Sequence, residues 1–449
     1  MGSKMLKAIA VRGTRGVSIA NPEAFLSACQ KLRHDLARSR FYPDVHTWGL
    51  TKIHDREMRF TYEIIGETFE GPEWDAISEV EFQKKYLHNR VGCFACPVAC
   101  HDSYNLPEAG GAGCMKCSPP GDLTWDVKNP DLEVFWKTFV LCQRYGIDAR
   151  SLSNLLNWLM HLHEQGIITD TDTDGMAMTW GNPEAIVSMA RKISYREGIG
   201  DLLADGVSRA IEKFGKDSQD YLLMSKGSLS GIHSIPIKSR ALGFSVSPIG
   251  ADAQTQPVLD TAATRKYLVA KDEEEYRQLT EKYAERAERE VGIRVAPDPR
   301  TTEGKAALVR LNEERTAMCD ISGVCTWMTS FIGLPVDIEI IAKFLTLGSG
   351  TTVTMDDVAQ AGLRMQYLER AFGARLGMTR EDDRVSKAYF HRPLPTVKDH
   401  RKIGVNEEEL ERMKDDYYEL MGLDVRTGMP TRAGLERLHM PDVADRLCL

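Results

Sequence analysis

Three cysteines, Cys93, Cys96 and Cys100, stand with two and three residues between them, and no other feature constrains the chain as tightly. Thiols this close converge on one centre, so the backbone around them must turn sharply and a fourth ligand must come from elsewhere. Ten cysteines in 449 residues are too few for a disulfide framework, and five of the ten fall between Cys93 and Cys117. In a cytoplasmic chain such a cluster points to metal. Thiolates suit both zinc and iron–sulfur clusters. Cys114 and Cys117 form a second pair with two residues between them, and His101 adjoins Cys100. On spacing alone, zinc therefore stays open beside iron–sulfur.

Other classes are less compatible with the composition. Hydrophobic residues at 42% and charged residues at 27% are ordinary for a folded globular chain. A formal net charge of −8 gives no basic face for nucleic acid. No apolar run reaches the roughly 18 residues that span a bilayer, and no signal-peptide core is present, so a cytoplasmic chain without membrane contact is expected.

The pattern along the chain is mainly α, with a short β segment at the N-terminus over residues 6–11. Asn21-Pro22 opens a helix that reaches about Arg40. Further helices are expected over 132–145 and 201–214, and from Asn182 to near Gly198. Leu152, Leu155, Leu156, Leu159 and Leu162 share one helical face. Residues 227–250 are glycine-rich and show little period. A charged amphipathic stretch covers 266–315, and helices follow over 354–377, 406–421 and 430–438. This organisation suggests two helical domains, 1–262 with the cysteine motif and 263–449 after it.

A second motif lies far downstream. Asp320, Gly323, Val324 and Cys325 form Asp-x-x-Gly-Val-Cys, and Gln143, Gly146, Ile147 and Asp148 echo it as Gln-x-x-Gly-Ile-Asp. Each stops a helix on glycine and places a polar or sulfur residue two positions later. Alone, either could be a helix stop beside an ordinary core or loop residue.

Together these stretches resemble the aldehyde ferredoxin oxidoreductase family. The likeness also rests on the opening segment, on residues 195–207 and on residues 417–424, and it runs from end to end. The resemblance implies two helical domains of that family's type. It also implies a tungsten (or molybdenum) bis-pterin centre beside one [4Fe–4S] cluster. By resemblance Cys93, Cys96, Cys100 and Cys325 ligate the cluster. Asp320, Gly323 and Val324 contact one pterin, and Gln143, Gly146, Ile147 and Asp148 the other. Gln143 replaces an acid of the family pattern, so its hydrogen bond lacks charge assistance. The implied reaction oxidises an aldehyde or oxo group and delivers electrons to a ferredoxin-like iron–sulfur carrier.

Two departures lead toward another branch, the class II benzoyl-CoA reductase catalytic subunit. The aldehyde enzymes carry a histidine after the stretch like 247–252, where this chain has Ala253. Their glutamate-bearing segment after the cluster motif is replaced by one containing Cys117, which resembles a tungsten ligand of the reductase branch. Cys117 is therefore a candidate for the catalytic centre, and the substrate is either a small aldehyde or an acyl-CoA. His46, His54, His161, His163, His233 and His391 are candidate proton donors. His233 is favoured because glycine-rich backbone lines close ligand approaches. The family's N-terminal β domain has no counterpart in the sequence. A fragment or split-gene product is expected, working with an upstream β domain or subunit. A zinc-stabilised helical scaffold without catalysis is the alternative outside enzymes.

Overall fold

Helix starts follow their capping residues. Asn21 accepts the backbone N–H of Ala24 at 3.2 Å, and Pro22 begins α1, Pro22–Arg38. Asp131 caps α2 (Leu132–Tyr145), Asp148 caps α3 (Ala149–Glu164) and Asn182 caps α4 (Pro183–Tyr195). This computed structural model describes residues 5–39, 41–49, 62, 67, 69–106, 111–115, 119–230, 237–251, 258–291, 298–326, 336–391 and 403–449.

The leucine face of α3 lies in the first core, where Leu152, Leu155, Leu156, Leu159 and Leu162 are all buried. Trp158 packs among them and donates its Nε1–H to Ser218 O at 2.8 Å. Each buried leucine contributes roughly 1.5–3 kcal/mol. The helix expected over 201–214 is two helices, Ile199–Ala204 and Val207–Phe214, because Gly206 between them adopts φ 91°. A side chain at Gly200 would put its Cβ 2.1 Å from Lys192 O, so this glycine allows the close approach to α4.

The second core gathers α5 (Lys238–Val246), α6 (Val258–Val269), α7 (Glu273–Val291), α8 (Lys305–Ser322), α9 (Ile338–Ser349), α10 (Met355–Arg375) and α11 (Glu407–Met421) with their neighbours. Thr354 with Asp357 and Asn406 with Glu409 form capping boxes at the starts of α10 and α11. Leu242, Phe244, Val309, Tyr367, Met413 and Tyr418 are buried together. Charges inside this core are paired. Lys305 meets Asp260 at 2.6 Å with both side chains fully buried. Asp383 takes Arg370, Lys226 at 2.9 Å and the Tyr418 hydroxyl at 2.6 Å. Removing one partner from such a pair costs about 3–5 kcal/mol, because the other charge is left stranded.

The fold is mainly α, and its described sheet structure lies away from the chain start. β1 (Leu87–Val91), β2 (His101–Leu106) and β3 (Gly111–Met115) form an antiparallel sheet in that order. Residues 6–19 form no strand, and Ile9, Val11 and Val17 are 74%, 92% and 88% exposed. Alternating apolar residues make a strand only when a neighbour takes their N–H and C=O groups, and no described residue does so here. The chain first docks at Ala20 and Asn21, whose N–H groups donate to Gly348 O and Leu347 O at 3.0 and 3.1 Å. None of the described helices is long and apolar enough to cross a membrane.

Candidate metal–cofactor centre

The cysteine motif is the loop between β1 and β2. Cys96 N–H donates to Cys93 O at 2.9 Å, closing the first turn. Ala95 and Ala99, each just before a cysteine, have φ of 56° and 47°. That region costs a non-glycine residue roughly 1–2 kcal/mol, and such alternation turns successive N–H groups into one concavity, a common cradle for sulfur clusters and anions. A Cβ on Gly92 would lie 3.1 Å from Cys96 O, so the loop folds closely back on its own start. Among the described cysteines there is no disulfide. Cys93 is exposed, while Cys96 and Cys100 are half-buried against Leu36, Val45 and Val98.

The base of this loop is clamped by groups that spacing alone did not reveal. Asp102, fully buried on β2, takes Arg90 of β1, the Tyr104 hydroxyl at 3.0 Å and Gln83 Nε2 at 3.1 Å. Gln83 also donates to Trp48 O at 2.6 Å. From the helix Tyr42–Trp48, the Tyr42 hydroxyl donates to Pro97 O at 3.1 Å, and His46 Nδ1 lies 3.2 Å from Val98 O. His46 therefore holds the loop.

The two glycine motifs share one backbone device. α2 ends at Gly146 (φ 72°) and α8 at Gly323 (φ 70°), both left-handed. The next N–H, of Ile147 or Val324, donates back to Cys142 O at 2.9 Å or Cys319 O at 3.0 Å. A Cβ on either glycine would meet nothing within 4 Å, so both turns face open space. Gln143, Asp148, Asp320 and Cys325 are exposed. Burial pushes the Cys142 thiol up to about 12 and the Cys319 thiol up to about 11, so both stay protonated and neither suits a thiolate ligand.

α1 connects the cysteine loop to the Asp320 motif. Leu32 packs against the Leu36, Val45 and Val98 cluster, which Cys96 and Cys100 also touch, and against the Met318 and Ile341 cluster, which Val324 also touches. Among the described residues no three His, Cys, Asp or Glu side chains are close enough to hold a metal ion. What fits is the donor chemistry: three thiols on one tight loop, and an exposed thiol, Cys325, next in sequence to Val324, whose cluster shares Leu32 with the cluster under the loop.

The profile of the family described as "Aldehyde ferredoxin oxidoreductase, domains 2 & 3" matches residues 27–440. The chain belongs to this family. It is 26% identical to the tungsten-containing aldehyde ferredoxin oxidoreductase of Pyrococcus horikoshii over 94% of this chain and 65% of that protein. It is 23% identical to the aliphatic sulfonate oxidoreductase WOR-like subunit of Pyrococcus furiosus, over 98% of this chain and 64% of that protein. The chain thus spans about 65% of the length of these relatives. A solved active-site complex BamBC of benzoyl coenzyme A reductase, with 1,5-dienoyl-CoA, shares the fold. The TM-score is 0.72 at 23% identity, over 97% of this chain and 68% of that one.

Within this aldehyde ferredoxin oxidoreductase family member, β3 runs antiparallel to β2 with Met115 opposite Asp102. The stretch leading to Cys117 therefore starts beside the cysteine loop. Cys117 and His233 themselves, like His54, lie outside the described residues. His163 pairs with Asp170 at 2.8 Å, and His161 sits edge-on to Trp180 at 4.7 Å. Both are engaged at the first core.

Proposed function

We propose that this chain works as an oxidoreductase on an aldehyde or oxo group, with a ferredoxin-like iron–sulfur protein as electron acceptor. The observation that carries this reading is the cysteine loop with left-handed Ala95 and Ala99, inside a family match that covers residues 27–440. Cys93, Cys96, Cys100 and Cys325 would hold a [4Fe–4S] cluster. Asp320 with the Gly323–Val324 turn, and Gln143 with the 146–148 turn, would hold the pterins of a tungsten or molybdenum centre. When bound, these groups supply two-electron oxidation at the metal and one-electron relay at the cluster. The chain's own residues position them: Asp102, Tyr42 and His46 fix the cysteine loop, and the open glycine turns let a flat ring approach the backbone.

A second reading, a benzoyl-CoA-reductase-like subunit, is favoured by the BamBC fold match and by the cysteine-bearing stretch after β3. Either reading includes a β-rich partner domain or subunit that pairs with the exposed segment 6–19. The experiment is anaerobic purification with that partner, then metal analysis and viologen reduction. Brown protein containing iron and tungsten that reduces dye with aldehydes supports the first reading, and thioester-dependent turnover supports the second. Colourless protein containing only zinc sinks both.

A further inference from the structure

The cysteine loop has a seated side and an outward side. Cys96 and Cys100 are half-buried and touch the Leu36, Val45 and Val98 cluster, whereas Cys93 is exposed. Phe94, next to Cys93, is fully exposed, and no large apolar side chain among the described residues is more so. Left-handed Ala95 follows it directly, and a Cβ on Gly92 would lie 3.1 Å from Cys96 O, so the ring stands on a closed turn. Aromatic side chains are frequent anchors of protein–protein contacts, and an electron-transfer encounter needs less than about 1,200 Å² of buried surface in total.

Charge beside the loop favours an acidic visitor, although the whole chain carries −8. On α1, Arg33 and Arg38 are exposed and adjoin Leu32 and Leu36, which pack in the cluster under the loop. Lys84 and Lys85 are exposed where the helix Glu79–Tyr86 runs into β1. Three neighbouring acids are already paired: Asp35 with Lys31 at 2.5 Å, Glu81 with Lys84 at 2.7 Å, and buried Asp102 with Arg90. Asp44, on the helix Tyr42–Trp48, is a further exposed acid.

Resting on the reading above, we propose that Phe94, Arg33, Arg38 and Lys85 form the landing surface for an acidic iron–sulfur carrier, so that electrons leave the cysteine loop at its Cys93 edge. Electron tunnelling falls steeply with distance, and Cys93 is the most exposed of the three loop thiols. Each transfer moves one electron to the oxidised carrier, with no bond made or broken. Phe94 supplies the contact that excludes water, and the cations steer the approach. The β-rich partner has a different handle. Segment 6–19 joins α1 at Ala20, and Leu36 lies roughly 22 Å further along that helix at 1.5 Å per residue.

Binding of an oxidised, acidic two-cluster ferredoxin to the purified full chain tests the surface without turnover. Phe94→Ala should raise Kd about tenfold, mostly through faster dissociation. Arg33→Glu combined with Arg38→Glu should slow association about tenfold at low salt and flatten its salt dependence. Leu26→Ala removes another exposed apolar side chain from the far half of α1 and should leave both constants unchanged. In the metal-loaded enzyme, Phe94→Ala should raise KM for ferredoxin and leave iron content and viologen reduction unaltered, which a merely structural role would not allow. A Kd unmoved by Phe94→Ala overturns the surface, and so does a Phe94→Ala chain that loses the β-rich partner and keeps the carrier. If ferredoxin binds as stated and no aldehyde is oxidised, the functional reading falls and the landing surface stands. If aldehydes reduce viologen while Phe94→Ala leaves Kd unmoved, the surface falls and the functional reading stands.

Discussion

The turns after α2 and α8 are built alike and used differently. Both end on a left-handed glycine, and both return an N–H to the carbonyl of a buried cysteine. After Gly146 the chain enters another helix at once, and Asp148 accepts Ser151 N–H at 2.6 Å as the N-cap of α3. After Gly323 the chain reaches a 3₁₀ residue at Thr326 across the same two-residue gap, and Cys325 in that gap stays exposed. The residue two positions after the glycine is a carboxylate that caps a helix in one turn and an exposed thiol in the other. The first position differs too. Asp320 sits in the last turn of α8, where the helix dipole disfavours negative charge. Gln143 at the matching place is neutral, and Arg144 follows it.

The largest expected contrast is in metal. Cys325→Ser should lower bound iron well below the about four atoms per chain of a [4Fe–4S] cluster, whereas Asp148→Ser should leave iron unchanged; iron analysis of the two proteins decides. Equal loss in both would break the contrast. Stability should then show the likeness. Gly146→Ala and Gly323→Ala should each cost about 1–2 kcal/mol in denaturant unfolding, since an alanine there strains only the backbone. The polar positions should separate again, by less. Asp148→Ala should cost about 1 kcal/mol as a lost cap, and Asp320→Ala should change stability by no more than about 0.5 kcal/mol. The smallest effect belongs to the buried thiols: Cys142→Ser and Cys319→Ser should retain iron, because protonated core thiols are not its ligands.

Much of the helical skeleton was legible from caps. Asn21, Asn182, Thr354 and Asn406 each begin a helix where the sequence places it, and Gly146 and Gly422 end theirs in the left-handed conformation. α5 was not legible, because every residue from Lys238 to Val246 is buried. A helix covered on all sides has no polar face, hence no period to read. The hairpin that presents the cysteines was equally hidden. β1 and β2 are short and polar, and they are held by Asp102, Arg90 and Gln83, contacts that local pattern does not encode. In the centre, the sequence singled out the thiols and glycines, and the structure places them on a tight loop and on two left-handed helix ends. The sequence offered His46 as a proton donor and passed over Tyr42, and did not show that both hold the loop, because their partners are main-chain carbonyls more than fifty residues away.

The docking of Ala20 and Asn21 on residues 347–348 also sets an order of events during synthesis. α1 lies under the cysteine loop through Leu36 and reaches the second glycine motif through Leu32, yet its own seat on α9 is made hundreds of residues later. At roughly 5–20 residues per second, a ribosome takes on the order of tens of seconds to cover that distance. For most of that interval Cys93, Cys96 and Cys100 are already outside the tunnel, on a loop whose supporting helix lacks its seat. On the proposed ligand set, iron delivered then would meet a partial site that shares its thiols with whatever else binds sulfur. Faithful loading therefore belongs after release of the finished chain, and a truncation that stops before Gly348 should accumulate oxidised or zinc-bound thiols in place of iron.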